Sequence, residues 1–497
     1  MAKDYVIAYD LGTSGVKAAL VDLDGNFMAA RVESYPLYTE RPGWAEQEPS
    51  DYWEGVLKAT RRVALESGIG PEGAKGIVFG SQWKGIIPVD GEGKALRRSM
   101  IWLDRRAEEE AERLNAHFGK RLFYASDYWP KLLWFREHCP ELYGRTKMIL
   151  EVNSFLKWKA TGRTAMDVTN HFVKSFDGEL QAFYDRFLEE AGISGDKFPP
   201  MVKPEEKVGV LTDVAAKELG LVAGIPVFGG CGDIPAIAIG SGCMAQGEVH
   251  AYFGSSGWLG LVRAHSPKDL YVSPFDGERD IFLYPIQAIG LALNWTIRQF
   301  YRREAEELGE GIYDLINEDL ADLPPGSGGV LAAPWMFGER PPLFSEAARG
   351  TFLNLNSCHD RRHMVKAVME GVCYTLKMNV ENDWERGGMR PTRICAVGGG
   401  AGSGVWMQAL ADILEVPVQV PANPRHAGAI GTACCARIGL GLCESFEEAA
   451  GQIKPWRSFR PRPEAVAIYR KGYETFRGLY RLLEPVFATA EYGEGRQ

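Results

Sequence analysis

Apolar residues in this chain come in short runs closed by glycine-rich turns, and these runs alternate with stretches of helical period. Tyr5 to Asp10 is one such run, Gly12-Thr13-Ser14-Gly15 is a tight turn, and Val16 to Asp22 is a second run closed by Asp24-Gly25. The pattern predicts strand, glycine-rich loop, strand. Halfway along, Glu248 to Tyr252 leads into Phe253-Gly-Ser-Ser-Gly257, and Trp258 to Val262 continues the run. The motif aromatic/Leu-Gly-Ser/Thr-Ser-Gly therefore occurs twice, each time between apolar runs. Two similar halves that each open with a β-hairpin account for this, as does chance recurrence of common residues; the strand context favours the first. Helical spacing predicts helices over Asp51 to Ser67, Arg105 to Phe118, Lys131 to His138, Thr212 to Leu219, Leu291 to Leu308 and Arg361 to Asp383, the last with Asp360 as its N-cap. Tyr469, Tyr473, Phe476 and Tyr480 recur at helical spacing in the tail and read as a packing face. The boundary between halves is expected near Met244 to Glu248, giving domains of residues 1–246 and 247–497.

A chain of 497 residues is too long for one ordinary core, which agrees with two large domains. The net charge of −9 and the absence of any basic block argue against a nucleic-acid partner. The N-terminus does not read as a signal peptide, and no apolar stretch reaches the ~18 residues that a membrane span needs. The nine cysteines are scattered with no C-x-x-C pair, so they read as small buried apolar residues of a protein in a reducing, cytoplasmic compartment. His171, His363 and His426 stand alone, without ligand partners at helical spacing.

Four places carry candidate chemistry. Glycines let backbone N–H groups converge on phosphate, so the loops Gly12-Thr13-Ser14-Gly15 and Gly254-Ser255-Ser256-Gly257 suit a triphosphate gripped from two sides; as single features they equally read as hairpin turns. Asp10 ends a strand before the first loop, where a carboxylate holds Mg2+ beside phosphates or caps the turn. Asp233 follows the apolar run Ile225 to Phe228 and Gly229-Gly-Cys-Gly232. It reads as the base that accepts a proton from an attacking alcohol, as an N-cap of the segment Ile234 to Ile239, or as both. Val397-Gly-Gly-Gly-Ala-Gly-Ser-Gly404 separates an apolar run from a helical pattern, with Gly399, Gly400 and Ser403 against adenine, ribose or phosphate. Lys17 either reaches the phosphates or is an exposed strand residue.

These pieces, in this order, resemble the FGGY carbohydrate kinases of the larger actin/hexokinase/Hsp70 group, and the resemblance covers nearly the whole chain. Asp10-Leu-Gly-Thr-Ser-Gly-Val-Lys17 is similar to the family's opening, with a third strand expected around Phe27 to Tyr35. Trp102-Leu-Asp-Arg-Arg106 resembles its W-x-D-x-R segment, and Pro130-Lys-Leu-Leu-Trp134 its P-K-L-x-W signature. Gly338-Glu-Arg-Pro-Pro342 followed by Ala348-Arg-Gly-Thr-Phe352 is similar to a block of xylulokinase-like members. Gly398 to Asp412, with Trp406 and Gln408, resembles the adenosine segment.

The resemblance implies an α/β fold of two actin-like (ribonuclease H-like) domains with a cleft between them. It implies the sugar and the general base on the first domain and the nucleotide mostly on the second. It assigns Asp233 to the base, Asp10 and Asp233 to Mg2+, and Gln82, Trp83, Lys84, Trp102, Asp104 and Arg106 to the sugar. It assigns Gly12, Thr13, Ser14, Lys17, Gly254, Ser255, Ser256, Gly399, Gly400, Ser403 and Gln408 to ATP. The chain departs from the xylulokinase pattern G-Q-M-H-G at Ser81-Gln-Trp-Lys-Gly85: Trp83 can stack on a sugar face and Lys84 can donate to hydroxyls or pair with an anion, or both shape the loop. Ile234-Pro235 stand where the family often has Asn or Gln after the base. The implied activity is phosphorylation of a small sugar or polyol by Mg-ATP, D-xylulose to D-xylulose 5-phosphate first. The alternatives are another ketopentose, ribulose, glycerol or another polyol, or a non-catalytic sensor on the same fold. A homodimer is implied by family analogy alone.

Overall fold

The computed structural model describes residues 3–119, 121–170, 173–265, 273–274, 278–340, 343, 345, 347–385, 387 and 389–489. His171, Pro341 and Pro342 lie outside the described residues.

The chain forms two compact units. The first is built on a seven-stranded sheet whose order is Lys207–Val210, Pro226–Phe228, Ala74–Ser81, Tyr5–Leu11, Gly15–Asp22 and Phe27–Ser34, with Cys231–Gly232 also pairing with Ala74–Ser81. Tyr5–Leu11 is antiparallel to Gly15–Asp22 and parallel to Ala74–Ser81, so it is central and buried except at Asp10. Phe27–Ser34 is the edge strand and is half-exposed. The helix Pro49–Ser67 carries Tyr52, Trp53, Val56, Ala59 and Val63 on one stripe and buries it among the side chains of the first two strands. On a second face, Val6, Ala8, Val21, Val78 and Phe228 are covered by Ala236 of helix Asp233–Ser241 and by Ala433, Cys435 and Ala436 of helix Ala427–Gly439. Aromatic-rich helices, Glu108–Phe118, Tyr128–His138 and Gly178–Glu190, form a separate cluster in the same unit.

The second unit repeats the plan. A seven-stranded sheet runs Ser273–Pro274, Arg279–Ile286, Gly257–Ala264, Val249–Phe253, Ile394–Val397, Val418–Pro421 and Pro455–Phe459, and most of it belongs to this unit. Again a hairpin, Val249–Phe253 with Gly257–Ala264, lies beside a parallel strand, Ile394–Val397. The helices Arg361–Glu385 and Gly404–Leu414 pack on it, and Tyr469, Tyr473 and Phe476 of helix Pro463–Phe476 close the core. The doubled glycine motif thus marks a doubled fold: two actin-like halves with mixed sheets and helices.

Two expectations differ from the structure in instructive ways. A single cut at 246/247 does not describe the partition, because Arg263–Ile281 and His426–Ile453 cluster with the first unit. The cause in the second case is the composition of Ala427–Gly439. Its alanines and glycines let it approach helix Asp233–Ser241 so closely that a Cβ on Gly431 would lie 1.8 Å from the Ala236 carbonyl oxygen. The helix expected over Leu291 to Leu308 is instead two, Gly290–Phe300 and Arg302–Leu308. It breaks at Tyr301, whose ring is fully buried and whose hydroxyl donates to Asp319 Oδ2 at 2.9 Å. Tertiary anchoring there outweighs the helical pattern.

Among the described residues, no helix is long and apolar enough to cross a membrane. All nine cysteines are free thiols.

Candidate active site

In the first unit, three parallel strand ends meet. Asp10 pairs with Gly80 and Leu11 with Ser81, while Gly232 pairs with Ser81 from the other side. Asp10, the segment Gln82 to Lys84, and Asp233 therefore leave the same edge of one sheet, where ligands gather in α/β folds.

Asp233 is the first residue of its helix, and its Oδ1 accepts from the Ile234 amide at 2.9 Å. The N-cap of this helix is Gly232, so Asp233 does not take the capping position expected of it; it stands one residue later, just after a strand end. Burial, and then the charge of Asp10, push its carboxyl up to about 7. A carboxyl titrating there is tuned for proton transfer near neutral pH. Asp10 remains partly exposed and has Lys17 Nζ 3.5 Å from its Oδ2. The helix Ala427–Gly439 begins against it: a Cβ on Gly428 would lie 2.8 Å from Asp10 Oδ2, so only glycine leaves room for the carboxylate there.

Two neighbouring carboxylates suit a hard divalent cation. Among the described residues no cluster of three or more His, Cys, Asp or Glu surrounds them. Mg2+ commonly takes one or two carboxylates and completes its shell with water and phosphate.

The loop Gly12 to Gly15 is fastened by side chains from far along the chain. Thr13 Oγ1 donates to Gln82 Oε1 at 3.2 Å and accepts from Trp102 Nε1 at 2.9 Å. Gln47 Nε2 donates to the Thr13 carbonyl at 2.7 Å, Gln82 Nε2 donates to Gln47 Oε1 at 2.7 Å, and the Tyr35 hydroxyl donates to the Gly12 carbonyl. Gln82 is buried, so its amide braces the loop. Ser14 is exposed at the tip.

Trp83 is half-buried, and Lys84 Nζ lies 4.7 Å from its ring centroid and 2.6 Å from Asp127 Oδ1. Lys84 has φ +61°, a left-handed backbone uncommon for a residue with a side chain. The buried Lys131 holds it there, donating to the Lys84 carbonyl at 2.6 Å and to the Ile101 carbonyl at 2.9 Å. Burial pushes the Lys131 amine down to about 7.

Asp104 and Arg106 are turned inward. Asp104 has no exposed surface; it accepts from the Ala45 amide at 2.7 Å and pairs with Arg106 Nη2 at 2.7 Å. Arg106 also pairs with Glu46 at 2.7 Å and lies 3.5 Å from the Trp44 ring centroid. The segment thus supports the wall of the site while Trp102 reaches the loop.

Residues without a motif complete this edge. Gly232 donates its amide to Thr169 Oγ1 at 2.8 Å, Thr169 Oγ1 donates to Asp167 Oδ1 at 2.6 Å, and Asn153 Nδ2 donates to Asp167 Oδ2 at 2.6 Å. Beside them, Tyr128 and Ser154 hydroxyls donate to Glu151, whose carboxyl burial pushes up to about 8. Asn170 donates to Ser81 Oγ at 3.0 Å. These polar groups hold the backbone immediately before Asp233. Only their burial reveals them, and no local spacing announced it.

The second unit presents two glycine loops on neighbouring parallel strand ends, Gly254 to Ser256 after Val249–Phe253 and Gly398 to Gly400 after Ile394–Val397. Gly398 has φ +94°, and a Cβ there would lie 2.6 Å from the Phe253 carbonyl oxygen, which makes glycine obligatory. The Gly254 carbonyl accepts from the Gly290 amide at 2.9 Å, and the Ser255 carbonyl accepts from the Ile289 and Leu291 amides at 3.0 Å each. Ser255 and Gly399 are exposed. Ser403 N-caps helix Gly404–Leu414 by accepting from the Trp406 amide at 3.2 Å, and it donates to Asn317 Oδ1 at 2.5 Å. Gln408 Nε2 donates to Asp412 Oδ1 and to the Arg460 carbonyl, both at 2.9 Å. Ser403 and Gln408 therefore secure the helix that follows the loop. Glu339 is a further buried acid of this unit: burial pushes it up to about 7, and its Oε1 accepts from the Gln287 and Arg340 amides at 2.7 and 2.8 Å.

Residues 5–240 match the N-terminal domain of the FGGY family of carbohydrate kinases, and residues 253–440 match its C-terminal domain. The chain is 30% identical to a xylulose kinase of Bacillus subtilis (strain 168), over 96% of each chain. It is 28% identical to the L-xylulose/3-keto-L-gulonate kinase of Escherichia coli (strain K12), over 97% of each. The crystal structure of xylulose kinase from Rhodospirillum rubrum superposes with a TM-score of 0.79 at 26% identity, covering 97% of this chain and 100% of that one.

Proposed function

This chain belongs to the FGGY family of carbohydrate kinases, and on that premise we propose that it moves the γ-phosphate of ATP to a terminal hydroxyl of a neutral ketopentose, D-xylulose first. The observation that carries the reading is the meeting of Asp10, Gln82–Lys84 and Asp233 on one sheet edge, with Asp233 tuned to about 7.

The sugar hydroxyl attacks the γ-phosphorus as the bond to the β-phosphate oxygen breaks, and ADP leaves. Asp233 accepts the hydroxyl proton at its carboxylate. The amides of Gly12 to Ser14, with the Ser14 hydroxyl and Lys17, offset charge on the phosphate oxygens. Gln82 and Trp102 act through Thr13, holding that loop in shape. In the second unit, Gly254 to Ser256 and Gly399 to Gly400 bind the nucleotide, while Ser403 and Gln408 keep the adjoining helix in place. Asp10, with Asp233, would hold Mg2+, which when bound supplies charge neutralisation along the triphosphate.

D-xylulose rests on the relatives and on the Gly338-Glu-Arg340 block; those relatives differ in the sugar their names give. Coupled ADP release with Mg-ATP across ketopentoses, aldoses, polyols and glycerol tests the reading. One neutral ketopentose should stimulate release many-fold, and Asp233→Ala should remove at least about 100-fold of that stimulation. Near-normal turnover in Asp233→Ala, or a flat panel, would reject it.

A further inference from the structure

The edge that carries Asp233 also carries a charge pair outside the proposed phosphate-transfer machinery. Ser81 pairs with Leu11 on one side and Gly232 on the other, so the segment that leads to Lys84 leaves the same sheet end as Asp10 and Asp233. The Lys84 backbone is left-handed, and its carbonyl accepts a hydrogen bond from the buried Lys131, which also donates to the Ile101 carbonyl. Such conformations persist only where the surroundings impose them, and they concentrate at ligand sites. About a fifth of the Lys84 side chain is open to solvent (19%), while Asp127, 2.6 Å from its ammonium, is nearly closed off at 8%. Asp127 is itself fixed, since its Oδ2 accepts from the Tyr124 amide at 2.8 Å.

The same balance runs through the neighbouring wall. Arg97 pairs with Glu46 at 2.5 Å, and Arg106 pairs with Glu46 and Asp104. Lys17 has Asp10 at 3.5 Å. Each of these cations has a carboxylate partner, and Lys131 spends its amine on two carbonyls beneath them. Among the described residues, the donors Lys17, Lys84, Arg97 and Arg106 are each matched by a carboxylate, and Asp233 adds a further carboxyl.

We propose that the Lys84–Asp127 pair sets the substrate class: it presents Lys84 as a hydroxyl- or carbonyl-binding donor whose charge is already cancelled, so the site selects neutral ketoses and polyols against sugar acids. Discrimination of this kind is a difference of affinities, built here from a fixed counter-charge that a carboxylate ligand cannot displace. The inference rests on the proposed kinase reading for its substrate but concerns the charge of that substrate alone.

The test compares D-xylulose with an aldonate, D-gluconate, on the full-length enzyme with Mg-ATP. Wild type should favour the neutral sugar in kcat/KM by about 100-fold or more. Asp127→Asn keeps an oxygen for the Tyr124 amide but uncovers the Lys84 charge, and it should raise the aldonate-to-ketose ratio by at least about 10-fold. The double variant Asp127→Asn/Lys84→Met should return the ratio toward wild type. A wild-type enzyme that handles the aldonate as well as the ketose overturns the proposal, and so does an unchanged ratio in Asp127→Asn. If Asp127→Asn does not fold, the wild-type comparison decides by itself. Quenching of tryptophan fluorescence by each sugar separates the two readings: selective quenching by the neutral sugar without turnover sinks the kinase reading and keeps this one, whereas equal quenching by both sinks this one.

Discussion

The loops Gly12 to Gly15 and Gly254 to Gly257 share a sequence pattern and a place at the head of a hairpin, yet they are fastened differently. The first is held by side chains: Gln47, Gln82, Trp102 and Tyr35 all reach it from other elements. The second is held by backbone, with its carbonyls accepting from the amides that open helix Gly290–Phe300. The surroundings differ as well. Asp10 and Asp233 stand beside the first loop, whereas the second is backed by Trp258, whose indole donates to the buried His250 at 2.9 Å. Burial drives the His250 ring down to about 3, so it is neutral at ordinary pH. One loop is therefore tied by side chains to several other elements and lies next to two acids, and the other is tied by its backbone to the start of a neighbouring helix.

The largest effect expected from this contrast is on the backbone-built side. Gly398→Ala forces a Cβ against the Phe253 carbonyl at an unfavourable φ, and should cost about 3 kcal/mol or more in chemical denaturation together with nucleotide binding. Full stability in that variant would show that the second unit's loops are not backbone-limited.

Next comes Thr13→Val, which removes the hydroxyl shared by Gln82 and Trp102. It should cost ~1–2 kcal/mol of stability and raise KM for sugar and for ATP together, each by about 10-fold. A change confined to ATP would break the claimed coupling between this loop and the sugar-side wall.

Third is a pH effect confined to the first unit. Asp233 ionises at about 7 in the folded chain against 3.8 in the ordinary state, so between those values the folded protein holds the extra proton. Stability therefore falls as pH rises from about 4 to 7, and kcat/KM rises as the carboxylate forms. Melting temperatures of wild type and Asp233→Asn, measured from pH 5 to 8, should diverge, with the variant relatively more stable at the alkaline end. Parallel curves would mean that Asp233 is not held neutral. The smallest effect belongs to Ser255→Ala on the exposed tip of the second loop: a few-fold rise in KM for ATP, with stability within about 0.5 kcal/mol and KM for sugar unchanged.

The doubled hairpin was legible because its signal is local: short continuous apolar runs on either side of a glycine turn. The strand-end positions of Asp10 and Asp233 were legible in a similar way, since Asp10 ends an apolar run and Asp233 follows one across Gly229-Gly-Cys-Gly232. Asp104, Gln408 and Ser403 lie in equally clear motifs, yet their polar atoms are engaged inside the protein. A motif gives residue identity and spacing but not which side of the backbone faces a ligand. Gln47, Tyr35, Asp127 and the Glu151–Asp167 group carried no signal, since each acts through partners distant in sequence. The return of His426–Ile453 to the first unit was hidden too, because a helix of alanines and glycines looks the same whichever sheet it covers.

That return matters for the order in which the chain can be completed. A ribosome releases Tyr5–Leu11 and its neighbouring strands early, but the helix that sets Ala433, Cys435 and Ala436 against Val6, Ala8, Val21 and Val78 is encoded more than 300 residues later. Throughout most of translation the N-terminal sheet is a half-covered platform with an apolar face open to water or to a chaperone. It becomes a finished domain only when His426–Ile453 arrives.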